Sequence, residues 1–305
     1  VRIARASALT DTGRRRLGNE DAFVCDPPLF AVADGMGGAQ AGELASRLAA
    51  AAIEERAAGL RGEDAMSALV QDANERIFRR ALTDPEATGM GTTMTVALID
   101  EEEGTLTLGH VGDSRAYRIR GERLEQLTED HSLVAELVRS GRLTQEEADQ
   151  HPHRSVITRA LGTEEAVDVD TLTAGMEPGD VYLICSDGLT TMVADEEILA
   201  LVRAAEGNLD AAADTLVAAA NRAGGEDNVT VVLVAIEEGE PVARREPVES
   251  AADGPVAAGD EHVAAVAPRS VRRWGAGPGG RLPALVLIVA VLALAVFLVY
   301  WGVAR

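Results

Sequence analysis

The sequence predicts an α+β layered sandwich, antiparallel β-sheets flanked by helices. Three observations point there. Apolar, β-branched runs follow one another in groups, and segments of helical period come in pairs, unlike the strict alternation of a doubly wound sheet. Turn residues at Asp11-Thr12-Gly13, Glu103-Gly104, Gly121 and Glu177-Pro178-Gly179-Asp180 separate the runs. Three of the runs abut an aspartate: 30–33 ends at Asp34, 181–185 leads to Asp187, and 229–234 follows Asp227. Strand ends of one sheet lie close in space however distant in sequence, so these carboxylates are expected at one edge.

In chain order, residues 3–10 form a first strand. The run Arg14-Arg15-Arg16 leads through Asn19-Glu20-Asp21 to the apolar Ala22-Phe23-Val24, delivering a cation and carboxylates at a strand edge. Residues 30–33 are a buried strand, and 35–38 the tight glycine loop leaving it. Residues 42–58 and 63–82 are helices, the second with Met66, Leu69, Val70, Ala73, Ile77 and Ala81 along one face. Strands follow at 91–99, 105–111, 116–119 and 124–127. Residues 133–162 leave the sheet as a small helical flap, with helices at 132–140 and 144–150. Ser132 or Asp130 caps the first, and Thr144 with Glu147 fits a capping box on the second. Strands at 168–172 and 180–186, helices at 195–205 and 209–223 (capped by Asn208) and a closing strand at 228–236 complete the domain, 1–238.

The chain carries 50 acidic against 28 basic residues, net −22, which argues against nucleic acid as a partner. Every basic residue is arginine, which excludes a Walker lysine, a kinase strand lysine and a Schiff base. Cys25 and Cys185 sit in or beside apolar runs and read as buried free thiols. Residues 1–10 are short, carry Arg2 and Arg5, and do not read as a secretory leader. From 239 to 281 the composition turns to Ala, Pro, Gly and Glu without period, a disordered linker. Residues 282–303 carry no charge and as a helix would be ~33 Å long, enough for a hydrocarbon core. Tyr300 and Trp301 stand at the far end, and Arg269, Arg272, Arg273 and Arg281 precede the run against Arg305 alone after it. This asymmetry places the large N-terminal part in the cytoplasm of a single-pass membrane protein.

Hard carboxylate ligands, with a backbone carbonyl such as that of Gly35, suit Mg²⁺ or Mn²⁺. Zinc fits poorly, because neither cysteine has a partner at metal spacing and His151 and His153 share a loop. Calcium is the alternative metal, but the glycine loop lacks the alternating oxygens of an EF-hand. Two ions bridged by Asp34 would generate a hydroxide and clamp a phosphoryl group, whose outer oxygens Arg16 could grip. For Arg16 a solvated face is the competing reading. Asp113, after the run 105–111, reads either as a fourth such aspartate or as an ordinary turn residue.

The blocks Arg16-x-x-Asn19-Glu20-Asp21, Asp34-Gly35-Met36-Gly37-Gly38, Gly91-Thr92-Thr93, Val111-Gly112-Asp113-Ser114-Arg115, Asp130-His131-Ser132, Thr158-Arg159-Ala160-Leu161-Gly162, Ser186-Asp187-Gly188-Leu189 and Asp227-Asn228-Val229-Thr230 occur in this order. In them the chain resembles the metal-dependent serine/threonine protein phosphatases of type 2C, in their bacterial membrane-anchored form, over about residues 3–236. The resemblance implies a four-layer αββα sandwich, a C-terminal transmembrane helix, and hydrolysis of phosphoserine and phosphothreonine on proteins by a metal-bridging hydroxide. It implies that Asp34 bridges two Mn²⁺ or Mg²⁺ ions, that the Gly35 carbonyl binds one and Asp187 and Asp227 the other, and that Asp113 with Asp187 holds a third, weaker ion. Glu20 and Asp21 would hold metal waters, Arg16 the phosphate. Expected partners are phosphoproteins, including a transmembrane serine/threonine kinase, and membrane lipid. Many eukaryotic relatives place a histidine general acid where this chain has Met36, which cannot donate a proton; His153 in the flap is a remote substitute. A catalytically silent phosphoprotein-binding module and a phosphatase of small phosphate esters are the alternative functions.

Overall fold

The computed structural model of the protein describes residues 1–56 and 59–240. The elements run β1 (Arg2–Asp11), β2 (Asp21–Asp26), β3 (Leu29–Met36), α1 (Ala39–Arg56), α2 (Gly62–Thr83), β4 (Gly91–Thr92), β5 (Met94–Asp100), β6 (Thr105–Val111), β7 (Arg115–Arg120) and β8 (Arg123–Gln126). The flap helices α3 (Leu133–Arg139) and α4 (Gln145–Asp149) follow. Then come β9 (Asp170–Gly175), β10 (Val181–Cys185), α5 (Asp187–Thr190), α6 (Asp195–Ala204), α7 (Leu209–Ala223) and β11 (Val229–Glu237). One sheet has the order β1-β11-β10-β7-β8 and the other β2-β3-β5-β6-β9, with β4 on β3; the pairings are antiparallel.

The apolar runs lack a polar alternate because both faces of the central strands are covered. In β11, Val229, Val231 and Leu233 pack against α6 and α7, while Val232, Val234 and Ile236 meet the other sheet. In β3, Phe30 and Val32 face the opposite sheet, whereas Leu29, Ala31 and Ala33 face α1 and α2. The strand period of two thus feeds two separate cores, and the layering is helix pair, sheet, sheet, helix pair. Helix α1 presents Ala45, Ala49 and Ala52, small residues at helical spacing, with Ile53 beside them, to the core against its sheet. The N-caps of the flap follow the expected chemistry: Ser132 accepts from the Ala135 N–H, and Thr144 and Glu147 form a capping box.

Helix α1 starts at Ala39 rather than at 42, β9 spans Asp170–Gly175 rather than 168–172, and three further differences from expectation bear on the site. Strand β3 does not stop before Asp34 but continues to Met36, because Gly35 and Met36 pair with the two residues of β4. The expected strand over 91–99 breaks at Thr93, whose N–H turns to the Asp34 carbonyl at 2.9 Å. Asp187 opens a single helical turn, α5, too short to show a period. Both cysteines are free thiols; Cys185 is buried, but Cys25 is only half-buried, at the sheet edge in β2. The predicted linker and membrane span lie outside the described residues, save the first two linker positions. Among the described residues no helix is long and apolar enough to cross a membrane.

Candidate active site

Both sheets end at the same edge, and the acidic residues collect there. Asp21 and Asp34 are cross-strand partners on β2 and β3. Asp187 leaves β10 and Asp227 enters β11, neighbouring antiparallel strands, so both lie at one end of the other sheet. Asp113 follows β6. The side chain of Asp34 feels the charges of Asp21, Asp187, Asp113 and Asp227. Carboxyls this close hold a proton or a cation between them. Among the described residues no three carboxyl, imidazole or thiol groups are drawn in to ready ligating spacing.

Backbone geometry builds this edge. A Cβ on Gly35 would stand 2.1 Å from the Gly42 carbonyl oxygen, so only glycine lets α1 approach β3 here. The Gly35 N–H donates to the Glu20 carbonyl at 3.1 Å. The Asp34 carbonyl accepts from the Thr92 hydroxyl at 2.8 Å and the Thr93 N–H at 2.9 Å, and its N–H donates to Thr93 Oγ1 at 3.0 Å. Across the sandwich, Asp21 Oδ2 accepts from Ser186 Oγ at 2.8 Å and Thr230 Oγ1 at 2.6 Å, stitching the two sheets.

The Arg16 guanidinium reaches back into the cluster. Its Nη2 donates to Asp227 Oδ2 at 2.7 Å, and its Nη1 lies 3.8 Å from Glu20 Oε1. The rest of Arg16 is exposed, so the fork stands at the mouth. Buried Asn228 holds the loop that carries it. The Glu20 N–H donates to Asn228 Oδ1 at 2.7 Å, and Asn228 Nδ2 donates to the carbonyls of Thr12 and Gly18 at 2.9 and 3.0 Å. Asn228, Thr92, Thr93, Ser186 and Thr230 stand in the sequence only as letters of the motifs, with no role of their own expected. The adjacency of Ser186 to Asp187 and of Asn228 to Asp227 is a signal the sequence holds; Thr92 and Thr93 lie far along the chain from every aspartate of the cluster.

The electrostatics are those of an acidic pocket that Arg16 compensates only in part. Loss of water and the surrounding carboxylates push Asp34 well above the usual carboxylate range. Loss of water first, then like charges, raise Asp113 to about 8, Asp21 to about 7 and Asp187 to about 6. Asp21, Asp113 and Asp187 each keep one buried oxygen with no hydrogen-bond partner. Each such oxygen costs about 1–3 kcal/mol unless something binds it. All-oxygen donors with free lone pairs fit Mg²⁺ or Mn²⁺.

Beside Asp113 and Asp187 a cleft of about 960 Å³ opens between the flap (Val138, Arg154) and the Thr191–Met192 turn. Arg115 lines it without a free fork. Its Nε and Nη2 hold Asp130 at 2.7–3.1 Å, and its Nη1 donates to the Tyr117 hydroxyl at 3.0 Å. His153 is exposed on the flap, its ring centroid 5.6 Å from that of His151.

The protein phosphatase 2C family profile matches residues 14–227. The serine/threonine phosphatase stp of Listeria welshimeri is 40% identical over 237 residues, 74% of this chain and 93% of the relative. The crystal structure of the Mycobacterium tuberculosis serine/threonine phosphatase PstP/Ppp superposes with a TM-score of 0.73 at 40% identity, over 77% of this chain and 100% of that one. A PstP catalytic domain in complex with two manganese ions superposes at 0.70 with 38% identity, over 77% of this chain and 99% of that one. The chain belongs to the protein phosphatase 2C family, with bacterial serine/threonine phosphatases among its relatives.

Proposed function

We propose that the chain hydrolyses phosphoserine and phosphothreonine on proteins in a metal-dependent reaction. The single observation that carries this is the convergence of Asp34, Asp187 and Asp227, with Arg16 on their rim, at one edge shared by two sheets. Asp34, Asp187, Asp227 and the Gly35 carbonyl would hold two Mn²⁺ or Mg²⁺ ions, and Asp113 with Asp187 a third, weaker one. When bound, the ions supply an activated water and Lewis-acid stabilisation of the phosphoryl oxygens. Glu20 and Asp21 would accept hydrogen bonds from water around the ions. Arg16 would leave Asp227 to hold the phosphate with its planar fork and orient the ester for in-line displacement. Met36, beside the cluster, has no proton to give, so protonation of the leaving serine or threonine oxygen falls to water in the cleft.

The test is phosphate release from a phosphothreonine peptide with Mn²⁺. Wild type should turn over and Asp187→Ala should not; turnover unchanged by that substitution or by chelator refutes the assignment. Parallel assays on nucleotides and small phosphate esters separate a protein phosphatase from a small-ester phosphatase.

We further propose that residues 239–281 tether the catalytic domain to a membrane helix at 282–303, with the domain on the cytoplasmic side. The charge-free run and the excess of arginines before it support this. A tethered domain of this kind would oppose a transmembrane serine/threonine kinase. Membrane fractionation of the full chain and of a chain ending at 240 tests the tether: both soluble would exclude it.

A further inference from the structure

We propose that His131 is a positioning residue for Asp113, and that Asp170 sets the imidazole to do it. The residue before Asp113 is gripped twice by the same histidine. The His131 N–H donates to the Gly112 carbonyl at 2.7 Å, and the Gly112 N–H donates to His131 Nδ1 at 3.0 Å. A neutral ring that accepts at Nδ1 carries its proton on Nε2. That Nε2–H donates to Asp170 Oδ2 at 3.1 Å, and the other oxygen of Asp170 accepts from Arg159 Nη1 at 2.6 Å. The Gly112 N–H sets the tautomer, and the carboxylate holds the plane of the ring while also pairing with Arg159, whose Nη1 lies 3.1 Å from the same Nε2.

The clamped turn has no slack. Gly112 has φ +113°, and a Cβ there would meet Thr93 Cβ at 2.6 Å. Thr93 is the acceptor of the Asp34 N–H, so the turn carrying Asp113 rests on the residue that seats Asp34. His131 is buried at 3% exposure, and its carbonyl accepts from the Thr158 N–H at 2.8 Å. Arg159 also donates to the Asp168 carbonyl at 3.1 Å. The return of the flap, the histidine and the Gly112 peptide are thus one hydrogen-bonded unit. His131 acts through the backbone that aims Asp113.

The proposal rests on the reading of Asp113 as ligand of the weakest ion, and the experiment separates the two. In the full chain, His131→Asn keeps an amide oxygen near the place of Nδ1, while His131→Gln reaches the Nε2 end and leaves the Gly112 N–H without its acceptor. Hydrogen exchange of the segment containing Gly112 and calorimetric Mn²⁺ titration are the two readouts. The Asn variant should keep slow exchange at Gly112 and the weak Mn²⁺ class. The Gln variant should speed that exchange and weaken the weak class by about 10-fold or more, leaving tighter binding unchanged. Asp170→Ala, made at a half-exposed carboxylate, should shift both readouts in the direction of Gln and serves if the Gln variant does not fold. Gln or Asp170→Ala behaving as wild type, Asn and Gln failing alike, or equal weakening of every Mn²⁺ class overturns the proposal. Asp113→Ala is the control: if it leaves every class intact, the ligand reading falls, and the exchange comparison still judges the clamp.

Discussion

Replacing Asn228 by alanine probes how the acidic edge is held without touching a proposed ligand. The side chain is 3% exposed and makes three hydrogen bonds, of 2.7, 2.9 and 3.0 Å, to the loop that carries Arg16. Truncation leaves the N–H of buried Glu20 without an acceptor, while the half-buried carbonyls of Thr12 and Gly18 can turn to water. One orphaned buried donor at about 1–3 kcal/mol and two replaceable bonds at about 0.5–1 each give a loss of about 2–5 kcal/mol. That falls within the ~5–15 kcal/mol stability of ordinary domains, so the variant should still fold. The backbone anchors of Arg14 and Arg15 to the Gly225 carbonyl, at 2.7 and 3.2 Å, survive the change. Arg16 therefore stays near the cluster but loses its fixed aim. Urea unfolding should show the lowered midpoint, and steady-state kinetics on a phosphothreonine peptide should show KM raised about 5–10-fold with a smaller change in kcat. An unchanged midpoint with an unchanged KM would refute the view that Asn228 organises the loop.

Arg16→Lys keeps the charge but loses the planar fork; KM for the phosphopeptide should rise about tenfold, ~1.4 kcal/mol, and an unaltered KM would remove Arg16 from phosphate binding. Gly35→Ala sets a methyl 2.1 Å from the Gly42 carbonyl oxygen and should cost at least ~1–3 kcal/mol in thermal unfolding, together with weakened Mn²⁺ binding. His110 gives the acid limb of stability. Its Nε2 donates to the Glu129 carbonyl at 3.0 Å and its Nδ1 accepts from the Thr95 hydroxyl at 2.9 Å, and burial first, then His131, lower it to about 4. Below the ordinary value of about 6.5 the unfolded chain takes up a proton that the folded ring refuses, so stability should fall by up to ~3 kcal/mol as pH drops toward 4. In His110→Gln that part of the slope should vanish; a slope equal to wild type would count against the buried neutral ring.

Much of this was legible in the sequence because the fold is regular where the chain is most apolar. The run 228–236 could be read as the strand that closes the sheet, observed at Val229–Glu237, and Leu209–Ala223 with its Asn208 cap stood at its observed bounds. Asp34, Asp113, Asp187 and Asp227 were legible because an aspartate closing or opening an apolar run marks a strand end. What failed was non-local. Strand β3 runs past Asp34 only because β4, more than fifty positions later, pairs with Gly35 and Met36, and no local pattern announces a two-residue strand. The four residues of α5 cannot show a helical period. Asn228 and His131 were hidden for another reason. Their importance lies in which buried N–H groups they satisfy, and a hydrogen-bond partner some twenty to two hundred residues away leaves no trace in spacing.

The account stands on carboxylates from separate strands sharing divalent cations. Anomalous diffraction at the manganese edge, from crystals of the protein grown with Mn²⁺, tests this most directly. The account predicts two strong peaks within ligating distance of Asp34, Asp187 and Asp227, about 2.0–2.3 Å from their oxygens. Manganese peaks elsewhere, or none among these three side chains, would contradict it.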